Sequence, residues 1–247
     1  MKLIKDPDRR DDPPKPLLEH LLALRDMLVF GAVSWAVGVV VAAVFAPSIF
    51  ALLQHPAERF RDLLQVVGMT APFDVWLSIS LWGGTVLSFP LVVYAVLKFV
   101  FPALTNKEKF IILSGVTLCT ALFLVGAVLA YFKTLPLVVV AFRQIGAWMG
   151  ITQQMITVDT YVPVVVKLIV AFGLVFQMPL ILFVLGCFGI VTSAGLRAKR
   201  RVSIVVAFVL AMFLTPPDPM SQLLMAVPLC LLYEVSIWAV WLKEKAS

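Results

Sequence analysis

Long apolar runs, broken by short clusters of charge and proline, organise this chain from Leu17 onward. Leu17, Leu18, Leu21, Leu24 and Leu28 recur at helical spacing and predict a short amphipathic helix, to about Met27, leading into the first run. Six runs follow, at roughly Leu28–Leu53, Trp76–Phe101, Phe110–Phe132, Val162–Val191, Val202–Leu214 and Leu223–Leu242. A bilayer crossing needs ~20 mostly apolar residues, so each run is read as a membrane-spanning helix. The fifth is short. At 1.5 Å per residue it reaches ~20 Å, below the ~30 Å of a hydrocarbon core. Thr215-Pro216-Pro217-Asp218-Pro219 joins it to the sixth and is too rigid to extend a helix; Pro228 lies within the sixth. The last two runs therefore predict a short hairpin, at which the bilayer thins or the rest of the protein gives shelter. The stretch between the third and fourth runs, about 28 residues with Trp148, Met149 and Met155, predicts a loop that caps the outer face. No internal repeat is visible.

The N-terminal stretch is of a different kind. Lys2, Lys5, Asp6, Asp8, Arg9, Arg10, Asp11 and Asp12, with Pro13, Pro14 and Pro16, predict a loose polar tail. Its acids are wrong for a secretory signal, and no small-residue cleavage site follows a short apolar core. The chain is thus divided into a disordered tail, residues 1–16, and a six-helix membrane domain, residues 17–247.

Composition sharpens this reading. Of 247 residues, 62% are apolar and 14% charged, and the mean hydropathy is +1.02. Soluble domains carry about 25% charged residues, and disorder needs low hydrophobicity and high charge, so both are excluded. The expected class is all-α and polytopic. Net charge is +6, but the basic residues sit at the ends of apolar runs, where they set orientation, so nucleic acid is not expected as a partner. One side holds Lys2, Lys5, Arg9, Arg10, Lys15, Arg25, Lys107, Lys109, Arg197, Lys199, Arg200, Arg201, Lys243 and Lys245. The other holds Arg59, Arg61, Lys133 and Arg143. The positive-inside rule then puts both termini in the cytoplasm, which requires an even number of spans.

Ionisable and polar groups at membrane depth are functional candidates because they are costly there. Lys167 lies in the fourth run and can also be read as a snorkelling lysine. Gln177, ten residues on, precedes Pro179. Its amide can bond the carbonyls that the proline frees, glue two helices, or meet an inserted guest. Glu234 reads as a hydrogen-bonded acid, and Asp218 as a cap on the sixth run. Cys119, Cys187 and Cys230 lie inside apolar runs without metal-ligand spacing and read as small buried hydrophobes. The chain has two histidines, His20 and His55, and lacks HExxH, GxSxG and a phosphate-cradling glycine loop. No catalytic residue, metal or cofactor is expected.

Several segments carry a pattern in order along the chain. They are His20-Leu21-Leu22-Ala23-Leu24-Arg25, then Pro72-Phe73, then Ser88-x-Pro90-x-x-x-Tyr94-x-x-x-x-Phe99-x-x-Pro102-x-Leu104 followed by Glu108. Phe176-Gln177-Met178-Pro179, Thr192-Ser193-x-x-Leu196-Arg197 and Leu214-Thr215-Pro216-Pro217-Asp218 with Ser221-Gln222 complete it. Together they resemble TatC, the multi-span core subunit of the twin-arginine protein translocase, over nearly the whole chain. The last segment is the most specific.

The resemblance implies a concave six-helix bundle in a bacterial inner membrane. It would receive folded substrates whose signal peptides carry two arginines, and it would associate with itself and with single-span TatA and TatB. Transport would be driven by the proton-motive force. By the same resemblance, Glu108, Arg25, Phe99 and Leu104 belong to the signal-peptide site, and Gln177 to the polar position midway up the concave face. Met212, Thr215 and Gln222 belong to a partner-helix docking face. A guanidinium pair needs carboxylate acceptors, which suits Glu108 between Lys107 and Lys109. The family's glutamate in the leading helix is replaced here by Ala23, and Met27 stands where a further arginine is expected. Glu19, one helical turn before Ala23, is read as taking over that acceptor role. Two alternatives stay open. One is a divergent relative with specialised or lost signal recognition. The other is a small-solute transporter using Lys167, Gln177 and Glu234.

Overall fold

The structure is a computed structural model and describes residues 17–54, 64–100, 109–151, 156–214 and 219–246. Its helices are α1 (Leu17–Val44), α2 (Ala46–Gln54), α3 (Ala71–Val100), α4 (Lys109–Leu129), α5 (Leu135–Trp148), α6 (Val158–Val175), α7 (Met178–Cys187), α8 (Ser193–Ala198), α9 (Arg200–Leu214) and α10 (Pro219–Ala246). A π-helical turn, Ala130–Thr134, joins α4 to α5. Among the described residues, five stretches are long and apolar enough to cross a membrane: His20–Val44, Ala71–Val100, Leu113–Trp148, Val158–Cys187 and Gln222–Lys245. By contrast α9 is shorter, its 15 residues reaching ~22 Å. Successive crossings alternate in direction. One end of the bundle therefore carries the start of α1, the end of α3, α8 and the end of α10. The opposite end carries α2 and a two-residue parallel pairing of Leu64–Gln65 with Ile156–Thr157.

Lipid and core demand the same apolar residues, so packing is decided by size and shape rather than by polarity. The crossing of α1 and α3 rests on two glycines. A Cβ on Gly84 would lie 2.6 Å from the Val39 backbone nitrogen, and one on Gly38 would lie 2.7 Å from the Gly84 carbonyl oxygen. The α4–α6 crossing is as tight, because a Cβ on Gly173 would meet the Phe123 ring at 2.5 Å. Phe123, Phe172, Ile79, Met225 and Leu229 are almost fully enclosed, and Phe89 stacks on Phe123 with ring centroids 4.2 Å apart.

Three boundaries differ from the sequence expectation, each through a proline or a helical continuation. The first run is not one helix. The chain turns at Phe45, and Pro47 at the start of α2 has no N–H for the Ala43 carbonyl. The Trp76 indole Nε1 donates to that oxygen at 3.2 Å instead. The far end of α2 is closed by two tyrosines: Tyr131 Oη donates to the Leu52 carbonyl at 2.5 Å and Tyr161 Oη to that of Leu53 at 3.2 Å. The loop expected after the third run begins instead as α5. Its start is reached through the π turn, in which the Leu135 N–H bonds five residues back to Ala130, one residue before Pro136. Trp148 and Met149 stand exposed at its end. Finally, the leading amphipathic helix is continuous with the first span, as α1.

Candidate functional site

At the end of the bundle that carries α8, the leading turns of α1 meet the last turn of α3. The His20 imidazole lies on the Phe99 ring with centroids 4.8 Å apart and an angle of 33°. About three turns further along α1, Phe30 approaches Tyr94 at 6.4 Å. Phe99 is half-buried, while Leu21, Leu22 and Ala23 are exposed. Arg25 is also exposed, and its Nε and Nη2 donate to Asp26 Oδ1 at 3.0 and 2.8 Å. Such a surface pair is worth little, so Arg25 stays available to other acceptors. Asp26 is the carboxylate that sequence reasoning overlooked, and its place one residue after Arg25 was the available signal. The structure thus brings His20 onto Phe99 and pairs Arg25 with Asp26 on the same helix, α1. Leu104 and Glu108 lie outside the described residues, as does the Glu19 side chain, although Glu19 itself is on α1. Chemically, this surface combines aromatic and aliphatic area with a charged rim.

Gln177 has a defined structural task. The α6–α7 helix breaks there, because Pro179 in the first turn of α7 interrupts the ladder. The Gln177 N–H bonds Leu174 at 3.0 Å, three residues back, and leaves the Gly173 carbonyl without its usual partner. The side-chain amide takes over: Nε2 donates to the Gly173 carbonyl at 3.3 Å and to the Cys119 carbonyl of α4 at 3.0 Å. The residue is 9% exposed. Replacement by leucine keeps the volume and removes both donors. We expect Gln177→Leu to cost about 1–2 kcal/mol, read as a lower thermal midpoint of the purified protein in detergent. An unchanged midpoint would mean that these bonds do not hold α4 to α6.

The transporter reading needs Lys167, Gln177 and Glu234 as one cluster, and they are not one. Glu234 pairs with Arg200 Nη2 at 2.8 Å, and both side chains are well exposed. Lys167 is half-buried on α6 without an ion pair among the described residues. Also on α6, Asp159 Oδ1 is buried without a hydrogen bond. No group of three His, Cys, Asp or Glu gathers into a metal site among the described residues.

On the α9–α10 hairpin, Met212 faces outward. Gln222 turns inward, its Nε2 donating to the Phe208 carbonyl of α9 at 3.0 Å. Thr215 lies outside the described residues. At the other end of the hairpin α10 clamps its neighbours. Tyr233 Oη donates to the Leu196 carbonyl at 2.9 Å and Lys243 Nζ to that of Gly186 at 3.3 Å. The Ser193 N–H donates to Glu244 Oε1 at 2.8 Å, and the Ser193 hydroxyl to Glu244 Oε2.

Comparison with known proteins agrees with this architecture. The family model described as Sec-independent protein translocase protein (TatC) matches residues 19–228. The Sec-independent protein translocase protein TatC of Aquifex aeolicus is 35% identical over 225 residues, covering 90% of this chain and 93% of that protein. The TatC of Carboxydothermus hydrogenoformans is 32% identical over 237 residues, covering 95% and 97%. Among solved structures, a crystal structure of the twin arginine translocase receptor TatC superposes with a TM-score of 0.82 at 35% identity, covering 90% of this chain and 98% of that one. With a family match and relatives that extend over nearly its whole length, the chain belongs to the TatC family of Sec-independent protein translocase proteins, a family of multi-pass membrane translocase components and not of enzymes.

Proposed function

We propose that this chain is the signal-receiving core of a twin-arginine translocase. It binds the twin-arginine signal peptides of folded proteins at its cytoplasmic face and nucleates assembly with TatA and TatB, for export driven by the proton-motive force. The observation that carries the reading is the contact of His20 with Phe99. It joins the leading-helix motif to the end of α3, so one surface offers apolar packing at Phe99 beside the charged Arg25–Asp26 turn of α1. The structure of a receptor in the same family, with the same fold, supports it. The basic residues gathered at the end bearing α8 support a cytoplasmic location for that end and for both termini. The bilayer in question is the bacterial inner membrane. Glu108 and Glu19 accept the guanidinium pair, while Phe99 and Leu104 pack the apolar part of the signal. Arg25 helps to shape the rim. Met212, Thr215 and Gln222 form the docking face for a partner helix, with Met212 offering exposed apolar area, and the complex holds more than one copy of the chain.

Ala23 favours a second reading, in which recognition is specialised or lost, because it removes a carboxylate from the leading helix. Cross-linking separates the two. A photo-reactive residue replaces Lys107 in membranes containing the full chain, and a twin-arginine signal peptide is added, or the same peptide with two lysines. The expected result is a cross-link with arginines only. Absence of any cross-link, where a relative with the family's glutamate succeeds, would overturn receptor function and support the second reading.

A further inference from the structure

The corner between α7 and α9 holds a charge pattern that signal reception does not use. Arg197, Lys199 and Arg201 are exposed, and none forms an ion pair among the described residues. The neighbouring acids are engaged by other groups first, although Glu244 also lies near enough to Arg197 to feel its charge. Glu234 holds Arg200, and Glu244 is bound by the Ser193 N–H and hydroxyl. The corner is also well anchored. Gly189, at φ +72°, ends α7 with the Ile190 N–H bonded to the Leu185 carbonyl at 3.0 Å. Thr192 caps α8 by accepting from the Gly195 N–H at 3.1 Å, and Tyr233 and Lys243 tie both sides to α10.

What distinguishes this corner from an ordinary solvated basic turn is the surface directly below it. Arg201, Val205, Val209 and Met212 recur at helical spacing along α9, and the last three are exposed apolar side chains. The cation therefore tops an exposed apolar stripe, of which Val205 and Val209 lie nearer the corner than Met212. Exposed Ile190 and Val202 flank it. At the same end, Trp238 stands exposed and packs edge-on against Trp241 at 5.9 Å, with Lys245 Nζ 5.5 Å from the Trp241 ring. Tryptophan pairs of this kind mark headgroup depth.

We propose that this corner binds an anionic phospholipid, its phosphate held by Arg197, Lys199 and Arg201 and an acyl chain lying along Val205 and Val209. A guanidinium matches phosphate oxygens in a fork. A free phosphate could use the cations alone, whereas a lipid uses the cations and the apolar stripe together, which is why the lipid is the occupant.

The test is lipid retention by the full chain, measured by native mass spectrometry after exposure to equal amounts of phosphatidylglycerol and phosphatidylcholine. The wild type is expected to retain phosphatidylglycerol preferentially. The triple variant R197Q/K199Q/R201Q should lose that preference by about fivefold per cation removed. Lys133→Gln, at the opposite end, should leave it intact. An unchanged preference in the triple variant, or displacement of the bound lipid by inorganic phosphate alone, would overturn the site. If the triple variant does not fold, the wild type still decides. Dibrominated phosphatidylglycerol should quench tryptophan emission more than dibrominated phosphatidylcholine, and Trp238→Phe with Trp241→Phe should remove the difference. Equal quenching by the two lipids would sink the proposal.

Discussion

Replacing Gly84 with alanine is expected to cost the bundle about 2–3 kcal/mol, the upper part of the range for overpacking. The new Cβ would lie 2.6 Å from the Val39 backbone nitrogen and 2.7 Å from its Cα. Both are main-chain atoms of α1, so no side-chain rotation relieves the clash and the helices must part. Parting them also strains two cross-helix bonds. One runs from Trp35 Nε1 to Thr85 Oγ1 at 3.1 Å and the other from Trp76 Nε1 to the Ala43 carbonyl at 3.2 Å. Because α1 packs on α3 and α2, the loss is concentrated at the leading helix, which carries His20 and Arg25. Thermal unfolding followed by gel filtration in detergent measures the effect. Gly31→Ala is the control, since nothing lies within 4 Å of a Cβ there. It should unfold at or above the wild-type midpoint, because alanine restricts the unfolded chain. Equal midpoints for Gly84→Ala and Gly31→Ala would show that the close approach does not limit stability.

The second large effect is on binding. Glu108→Gln should weaken a twin-arginine peptide by roughly ten- to a hundredfold, the value of a hydrogen bond between charged groups. Glu19→Gln should produce a loss of similar size if Glu19 substitutes for the absent glutamate, and Ala23→Glu should then recover most of it. Fluorescence anisotropy with the purified full chain reads both, with a twin-lysine peptide as the reference. If Glu19→Gln binds like the wild type while Glu108→Gln does not bind, the idea that Glu19 replaces the missing acceptor is wrong. Asp26→Asn adds a separate arm. Asp26 holds Arg25, so a loss on its removal would place the acceptor on Asp26.

The reach of the sequence differed from element to element, for physical reasons. The short α9 was legible because run length is a local property. The break at Gln177 was legible because the missing N–H of Pro179 is equally local and an amide can bond a freed carbonyl. The Cys119 carbonyl as its second partner was not, since it lies 58 residues away. Glu234 read as a hydrogen-bonded acid, but its partner Arg200 was not legible, because it is 34 residues distant. The stretch Leu135–Trp148 read as a loop, because Pro136, Arg143 and Gln144 dilute its apolarity. The π turn that carries the helix through Thr134 leaves no mark in hydropathy.

By itself the sequence determined that this chain is an all-α, multi-pass membrane protein and which segments make it resemble the TatC family. Those follow from run length, charge placement and local motifs, each contained within ~20 residues. Only the tertiary structure decided which helices touch and what the polar groups do. Lipid-facing and core-facing residues are equally apolar, so hydropathy cannot tell them apart. The contacts of His20 with Phe99, Gln177 with Cys119 and Ser193 with Glu244 join distant parts of the chain. For Gln177, almost wholly enclosed, the reason is that an amide excluded from water must find its partner inside the bundle; His20 and Glu244 are exposed and meet their partners only because folding brings the helix ends together.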